Sequence, residues 1–291
     1  MTFDERAALG RIADALERLA PARPEVDWQV CTAAEWRVGN PSPYFAAHTR
    51  RDAITLDDLF GIDRQKRELD LNTQQFLAGL PANNALLWGS RGTGKSTLMH
   101  AILQRHAGQG LRVIEPEKRA LAHLPELADQ LRALPYRFIL FCDDLSFEAD
   151  DPAYKSLKSA LEGSTFTSVH NLLIYATSNR RHLLPEYNAD NADARVADGE
   201  LHHGEAVEER ISLSDRFGLW LSFYAFRQDD YLQIARHWVF SLSAKYATNV
   251  ALDGEGEREA LRWALARGGR SGRVAQQFAR HWVGRHLLSE R

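Results

Sequence analysis

The start of the chain has the apolar and polar pattern of an amphipathic helix. Within residues 4–20, apolar side chains recur at helical spacing, at Leu9, Ile12, Ala13, Leu16 and Leu19. Pro21 and Pro24 follow, and proline disfavours continuation of a helix because it lacks an amide hydrogen. Residues 25–50 have no dominant period and contain further prolines. We therefore predict that residues 1–50 form a helix followed by a small mixed element.

From residue 51 onward, short apolar runs alternate with amphipathic stretches. Five runs have the length of buried strands, at 84–89, 111–115, 137–142, 171–177 and 219–224. Helical periods lie between them, at 95–107, 119–133, 153–162 and 205–213. Apolar strands that alternate with helices are typical of a parallel sheet covered on both faces. Residues 51–227 are therefore predicted to form an α/β domain, a five-stranded parallel αβα sandwich.

The remaining sequence consists of a long polar segment and a helical region. Residues 186–204 lack apolar periodicity, which predicts a loop, and loops of that length are usually functional or mobile. After residue 227 no further strand is indicated, and helical periods appear at 228–244, 255–267 and 271–287. We expect residues 228–291 to form a helical domain of their own.

The composition is that of a globular protein. Among 291 residues, 44% are hydrophobic, and 36 basic against 39 acidic side chains give a net charge of −3. This balance disfavours a protein whose whole surface binds nucleic acid or a membrane, although it allows a local basic patch. No secretory signal and no apolar run of membrane-spanning length is indicated. The chain has two cysteines, so we expect a reducing, cytoplasmic location.

The most specific motif follows the strand at 84–89. Residues 89–96 match G-x-x-x-x-G-K-S between a predicted strand and a predicted helix, which is the context of a phosphate-binding loop. Lys95 is expected to contact the β- and γ-phosphates, and the Ser96 hydroxyl to ligate Mg²⁺. The alternative is a glycine-rich turn that only caps a helix. The predicted phosphate contacts are Gly89, Ser90, Arg91, Gly92, Thr93, Gly94, Lys95, Ser96 and Thr97.

Two carboxylates, Asp143 and Asp144, come directly after the apolar run at 137–142. In a nucleoside-triphosphate site, a carboxylate at the end of a neighbouring strand can orient Mg²⁺, and a second can polarise the attacking water. We assign Asp143 to the metal and Asp144 to the water. The alternative is an Asp-Asp turn that merely ends a strand.

These motifs resemble those of AAA+ ATPases, and the resemblance covers residues 52–285. It implies an AAA+ P-loop fold with a helical lid, and ATP and Mg²⁺ as cofactors bound between sheet domain and lid. The segment LDDLFGID at 56–63 is similar to the one that family packs near adenine, which makes Gly61 and Ile62 candidate contacts to the base.

Three polar residues follow from the same resemblance. Asn179, after the strand at 171–177, looks like the sensor 1 residue that positions water, with a plain turn residue as the alternative. Arg216 in SLSDRFGL looks like the arginine finger, with a surface arginine as the alternative. In GRSGRVAQQF, Arg273 is expected to be the sensor 2 residue and Arg270 the second choice, the alternative being an ordinary helix arginine.

More narrowly, PANNALLWGSRGTGKST and the DDLSFE run resemble domain-of-unknown-function family 815, an uncharacterised bacterial AAA+ family. One position departs from the wider pattern, because most AAA+ proteins have glutamate where this chain has Asp144. The shorter side chain makes slow turnover an expectation of the resemblance, and Glu148 is an outside candidate for the base.

Three further features concern partners. An arginine finger acts on a neighbouring subunit, so the resemblance implies a homo-oligomer, a ring or a spiral, with Arg216 acting in trans. Residues 262–291 hold seven arginines and one acid, which allows a contact with nucleic acid, although we favour a solvated helix face. Residues 115–120 lack the aromatic and glycine of a polypeptide-threading loop, which disfavours that device.

We therefore expect an ATPase that remodels or assembles a protein client that the sequence does not identify. Two alternatives stay open: a nucleotide-gated binding module with little hydrolysis, and a DNA-associated loader or initiator-like ATPase.

Overall fold

The computed structural model describes residues 8–12, 14–16, 25–40, 42–48, 54–146, 152–162, 170–179, 195–197, 200–202 and 213–289, with backbone alone at 195–197 and 200–202. Residues 8–12 and 14–16 are helical, within the range predicted for the first helix.

The strands are β1 (Ala33–Arg37), β2 (Tyr44–Ala47), β3 (Ala85–Gly89), β4 (Leu111–Pro116), β5 (Arg137–Cys142), β6 (Leu172–Ser178), β7 (Arg195–Ala197), β8 (Glu200–His202) and β9 (Leu219–Phe223). The helices are α1 (Asp63–Leu77), α2 (Lys95–His106), α3 (Leu124–Leu131), α4 (Pro152–Leu161), α5 (Gln228–Lys245), α6 (Gly254–Ala266) and α7 (Gly272–Ser289). Short 3₁₀ turns occupy Leu56–Asp58, Ala107–Gln109 and Lys118–His123.

The main sheet has the strand order β2-β1-β4-β5-β6-β3-β9. Its five strands β4-β5-β6-β3-β9 are parallel, as predicted. The predicted number of five is too small for the whole sheet, because β1 adds in parallel to β4 and β2 pairs antiparallel with β1. Strand β1 is only five residues long, and it was not predicted because it lies in the segment 25–50, which has no dominant apolar period. Part of residues 1–50 thus belongs to the same sheet as the α/β domain.

Alternate residues of the central strands enter two separate cores. In β5, Ile139 and Phe141 pack in the core that also contains α1, α2 and the carboxyl-terminal helices. Phe138 and Leu140 face the other side, in the core that contains α3 and α4. Because successive side chains of a strand point to opposite faces, a strand that is apolar throughout is covered on both sides. This arrangement is the predicted αβα sandwich.

Helix α1 is an element that the sequence pattern did not indicate. Its sequence is largely polar, and its buried positions include Asn72 and Thr73. Asn72 Nδ2 donates to the Tyr175 hydroxyl at 2.8 Å and to Asn83 O at 2.8 Å, and the Thr73 and Tyr175 hydroxyls lie 3.0 Å apart. The helix is therefore held to β6 by buried hydrogen bonds as well as by apolar contacts, which apolar periodicity cannot reveal.

The helices α5, α6 and α7 form the predicted helical region after the sheet. Tyr231 donates from its hydroxyl to Ala260 O at 3.0 Å, and Trp282 Nε1 donates to Ala251 O at 3.2 Å. The apolar side chains of this lid continue into the core that contains α1 and α2. Gly272 N also donates to Gly92 O at 2.8 Å, so the lid touches the loop that follows β3.

Other predictions fall mostly outside the described residues. Of the helix predicted at 205–213, only residue 213 lies within the described residues, and it is helical. Within the segment predicted as a loop at 186–204, β7 and β8 pair antiparallel, with Arg195 opposite His202. Among the described helices, none is long and apolar enough to cross a lipid bilayer.

Candidate functional site

A cavity of about 560 Å³ lies at the carboxyl ends of the parallel strands, between the sheet and the lid. The loop after β3 lines it from Arg91 to Thr97, and Asp143, Asp144, Thr177 and Asn179 line it from the ends of β5 and β6. Gly272 and Arg273 line it from the lid. In parallel α/β sheets, ligands bind at this edge because the loops that follow the strands converge there.

The loop at 89–96 is shaped by glycines whose backbone conformation or surroundings exclude other residues. Gly89 has φ 128°, and a Cβ on it would lie 1.9 Å from Phe223 O. Gly94, with φ 96°, immediately precedes α2, so the free amides at the start of that helix belong to residues that line the cavity. Thr93 Oγ1 donates to Ser90 O at 2.7 Å and closes the turn.

Lys95 is buried at the bottom of this loop. Its ammonium donates to Gly89 O and Ser90 O, both at 2.8 Å, and to Asn179 Oδ1 at 3.3 Å. Burial lowers the pKa of Lys95, and the nearby carboxylates of Asp143 and Asp144 oppose that decrease. The lysine is thus held by carbonyl oxygens at the position where a loop of this type presents an ammonium to an anion.

Ser96 and Asp143 meet across the strand ends. Ser96 Oγ donates to Asp143 Oδ1 at 2.6 Å, and the Thr177 hydroxyl donates to the same oxygen at 2.6 Å. Thr177 was not predicted from the sequence. It lies near the end of β6, beside β5. A polar residue that follows a run of apolar ones is the sequence signal that could have identified it.

Asp144 and Asn179 also meet, although they come from different strands. Asp144 has a positive φ of 47°, a left-handed conformation that aspartate tolerates better than most residues. Its amide donates to Thr177 Oγ1 at 2.8 Å, and Asn179 Nδ2 donates to its Oδ1. The positions of both side chains are therefore defined by hydrogen bonds, and both line the cavity.

The other part of the cavity is largely apolar. It begins where Ile62 and Leu59 approach Gly94, and it continues along Phe60, Phe226, Ile234 and Trp238. Of the two residues predicted to contact a base, Ile62 lines the cavity, whereas Gly61 lies beside Phe226 and Asp230. The aromatic residues of this wall come from separate elements, so the sequence pattern did not group them.

The lid approaches the loop closely at Gly92. A Cβ on Gly92 would lie 2.9 Å from Ser271 Cβ and 3.6 Å from Arg273 Cβ. Arg273 lines the cavity, whereas Arg270 is an exposed residue that does not. The structure thus places Arg273 next to the loop at 89–96, where a cation from the lid would reach an anion bound to that loop.

Arg216 lies outside the cavity of its own chain. Its Nη2 donates to Glu162 Oε1, in an ion pair whose side chains are 26% and 41% exposed. Glu162 comes directly after α4 and was not singled out by the sequence. Glu148, the outside candidate for the base, falls outside the described residues.

Some of the carboxyl-terminal arginines have partners within the lid. Arg285 makes two hydrogen bonds to Glu259, at 2.9 and 3.0 Å, and the Arg267 guanidinium lies 3.3 Å from the centroid of the Trp263 ring. These contacts are typical of a solvated helix face. Arg291 falls outside the described residues.

The residues around the cavity fit a nucleoside triphosphate with Mg²⁺. The hydroxyl of Ser96 and the carboxylate of Asp143 are hard oxygen ligands of the kind Mg²⁺ prefers. The loop amides and Lys95 suit phosphate oxygens, and the apolar part of the cavity suits a heterocyclic base.

The comparisons with known proteins agree with this architecture. The family model described as "Protein of unknown function (DUF815)" matches residues 29–286. No curated protein matches the chain. The RuvB Holliday junction branch migration motor of Thermotoga maritima has 18% sequence identity and a TM-score of 0.53, over 78% of this chain and 63% of that one.

The ORC1 protein of Aeropyrum pernix, solved in complex with DNA, has 18% identity and a TM-score of 0.54, over 80% of this chain and 62% of that one. Similarity at this level of identity shows a shared fold and confirms the predicted AAA+ P-loop architecture. The chain spans less than two thirds of the length of either relative.

Proposed function

This chain belongs to domain-of-unknown-function family 815, and we propose that it binds Mg²⁺-ATP and hydrolyses it at an interface between copies of the chain. The energy drives remodelling or assembly of a protein client. The observation that carries the proposal is the continuous hydrogen-bonded network at the strand ends. It joins Ser96, Asp143 and Thr177, and it joins Asp144 to Asn179 and Lys95.

Each residue of that network has a role in ATP hydrolysis. Lys95 and the amides of residues 91–97 bind the phosphate oxygens, and Ser96 and Asp143 hold Mg²⁺, which neutralises charge on the phosphates. Thr177 fixes the Asp143 carboxylate through its hydroxyl. Asp144 and Asn179 orient the water, and Asp144 accepts a hydrogen bond from it. Arg273 adds positive charge from the lid.

Arg216 supports an interface in trans. The side chain lies outside the cavity of its own chain, so a contact with bound phosphate requires a neighbouring subunit. The chain therefore acts as a homo-oligomer. Its location is cytosolic, because Cys31 and Cys142 are both free thiols and a reducing compartment keeps thiols free.

ATP turnover per protomer, measured over a wide range of protein concentration, tests this function. Turnover that rises and then saturates is expected, because sites are completed between subunits. Lys95→Ala should abolish nucleotide binding or turnover, whereas Lys155→Ala, which removes an exposed lysine of α4, should leave both unchanged. Normal ATP affinity and turnover in Lys95→Ala would refute the site.

A second candidate function, a nucleotide-gated binding module, is favoured by the Arg216–Glu162 ion pair. If this pair persists in the assembled protein, Arg216 does not reach a neighbouring site, and ATP then switches the lid without being hydrolysed. ATP binding with no turnover at any protein concentration would move this candidate to first place.

A further inference from the structure

One wall of the apolar part of the cavity contains a carboxylate, Asp58. It lines the cavity beside Leu59 and Phe60, and its side chain is 26% exposed. A carboxylate among apolar and aromatic side chains is costly unless its oxygens are hydrogen-bonded. The partners of each oxygen therefore show which acceptor positions of this side chain remain for a ligand.

The two oxygens of Asp58 have different partners. Oδ2 accepts hydrogen bonds from the amide of Thr55 at 2.7 Å and from its hydroxyl at 2.8 Å, which caps the short turn at Leu56–Asp58. Oδ1 lies 3.1 Å from Nε2 of His237, on lid helix α5. A carboxylate oxygen has two lone-pair positions, so Oδ1 retains one acceptor position after the contact with His237.

The surroundings of Asp58 are those of a site for a flat heterocycle. The Phe60 and His237 rings lie 5.0 Å apart between centroids, and the His237 and Trp238 rings 5.5 Å apart. Phe60 and Trp238 both line the cavity. Because Lys95 and Ser96 fix the phosphate end of the site, the base of a bound nucleotide must lie in this apolar part.

We infer that Asp58 selects the base, by accepting a hydrogen bond from the 6-amino group of adenine at Oδ1. This inference rests on the proposed function. A carboxylate is acceptor-only when ionised, so it favours the amino group of adenine and opposes the 6-oxo group of hypoxanthine or guanine, which is also an acceptor. His237 positions the carboxylate from the lid, and the selected substrate class is the 6-aminopurine nucleotides.

Calorimetric titration of the full chain with diphosphates in the presence of Mg²⁺ tests the inference without turnover. Inosine diphosphate replaces the 6-amino group of ADP by oxygen, and purine riboside diphosphate replaces it by hydrogen without adding bulk. Wild-type protein is expected to bind ADP roughly 10-fold or more tightly than either analogue, because an unmet hydrogen-bond partner in the site weakens binding by about this factor.

Asp58→Asn is the informative variant, because its amide oxygen can still accept from Thr55 while its NH₂ offers a donor to the base. The ADP-to-inosine-diphosphate preference is expected to fall to about equal affinity or to reverse. Asp57→Asn is the matched control: it neutralises the adjacent, exposed carboxylate, which does not line the cavity, and should keep the wild-type preference.

The outcomes separate the two proposals. Equal affinity of wild-type protein for ADP and both analogues would overturn the role of Asp58 and leave the ATPase proposal standing. If Asp58→Asn keeps the wild-type preference for ADP over inosine diphosphate, the role of Asp58 is likewise overturned and the ATPase proposal still stands. No binding of ADP to wild-type protein would overturn the proposed function itself. If Asp58→Asn does not fold by circular dichroism, the two analogues still decide the matter on wild-type protein.

Discussion

Arg216 forms an ion pair with Glu162 of its own chain. An arginine that acts on a neighbouring subunit must leave this partner or share it, so under the proposed function the pair opposes completion of the site. Exposed ion pairs contribute about 0.2–1 kcal/mol, which corresponds to a factor of about 1.4 to 5. Glu162→Gln is therefore expected to raise ATP turnover by a factor of about 1.4 to 5 at protein concentrations below saturation.

The control for this effect is the double variant Glu162→Gln/Arg216→Ala. Because Glu162 acts through Arg216, removing the arginine should erase the gain. If Glu162→Gln raises turnover equally without Arg216, the ion pair has no part in regulating the site.

Arg216→Ala is expected to lower kcat by roughly 10³-fold or more, the contribution of an arginine that stabilises transition-state charge. Affinity for ADP should stay within about twofold of wild type, because the side chain lies outside the cavity of its own chain. Turnover assays and calorimetry on the same preparation measure both. Arg270→Ala removes an exposed arginine that does not line the cavity and should change neither quantity. A variant with full turnover would exclude the trans role.

Ser96→Ala removes the hydroxyl that hydrogen-bonds to Asp143. If that hydroxyl ligates Mg²⁺, the concentration of Mg²⁺ that supports half-maximal turnover should rise roughly 10-fold or more. Ser96→Thr keeps a hydroxyl and is expected to restore most of the Mg²⁺ affinity. An unchanged Mg²⁺ dependence in Ser96→Ala would remove Ser96 from the metal site.

The sequence predicted the central strands well because they are buried on both faces. In β5 the run Arg137–Cys142 is apolar at every position after the first, and a run of this length is typical of a buried strand and too short for most helices. The position of the loop at 89–96 between a strand and a helix could be predicted for a related reason, since the glycines and the lysine of the motif occupy fixed positions. Local patterns of this kind can be recognised without knowledge of the rest of the chain.

What the sequence did not reveal depends on contacts between distant segments. Thr177 interacts with Asp143 across 34 positions, and Glu162 with Arg216 across 54. Helix α1 packs through Asn72 and Thr73, whose burial follows from Tyr175 about 100 positions away. A polar residue that is buried by a distant partner looks, in sequence, like a polar residue on the surface.

Gly92→Ala tests the contact between the loop and the lid. Gly92 has φ 72°, and a Cβ would lie 2.9 Å from both Ser271 Cβ and Ser271 Oγ, so alanine must either strain the loop or displace the lid. A left-handed conformation costs a non-glycine residue about 1–2 kcal/mol, and we expect ADP affinity to fall roughly 10-fold. Gly108→Ala is the matched control, because nothing lies within 4 Å of its Cβ position. Equal ADP affinities for the two variants would show that the lid contact is not needed for binding.

The buried hydroxyl of Tyr175 connects β6 to helix α1. Asn72 Nδ2 donates to it, and the Thr73 hydroxyl, which itself donates to Leu69 O at 2.8 Å, is its other partner. Tyr175→Phe leaves one N–H of Asn72 unpaired in the core, so the free energy of unfolding should fall by about 1–3 kcal/mol. Tyr246→Phe, at a position that is 56% exposed, should change it by less than about 0.5 kcal/mol. Urea unfolding, fitted with a common dependence of the unfolding free energy on urea concentration, measures the change in both variants.

The same hydroxyl gives the stability a pH dependence of known sign. Burial raises the pKa of Tyr175 to about 12, although its hydrogen bonds to Thr73 and Asn72 act in the opposite direction. The unfolded chain therefore loses this proton at a lower pH than the folded chain, near the ordinary tyrosine value of about 10. Stability from this group is fully present below about pH 10 and is lost as the pH rises toward about 12. Tyr175→Phe should flatten that part of the stability profile, and an unchanged alkaline slope would show that the hydroxyl is not buried in solution.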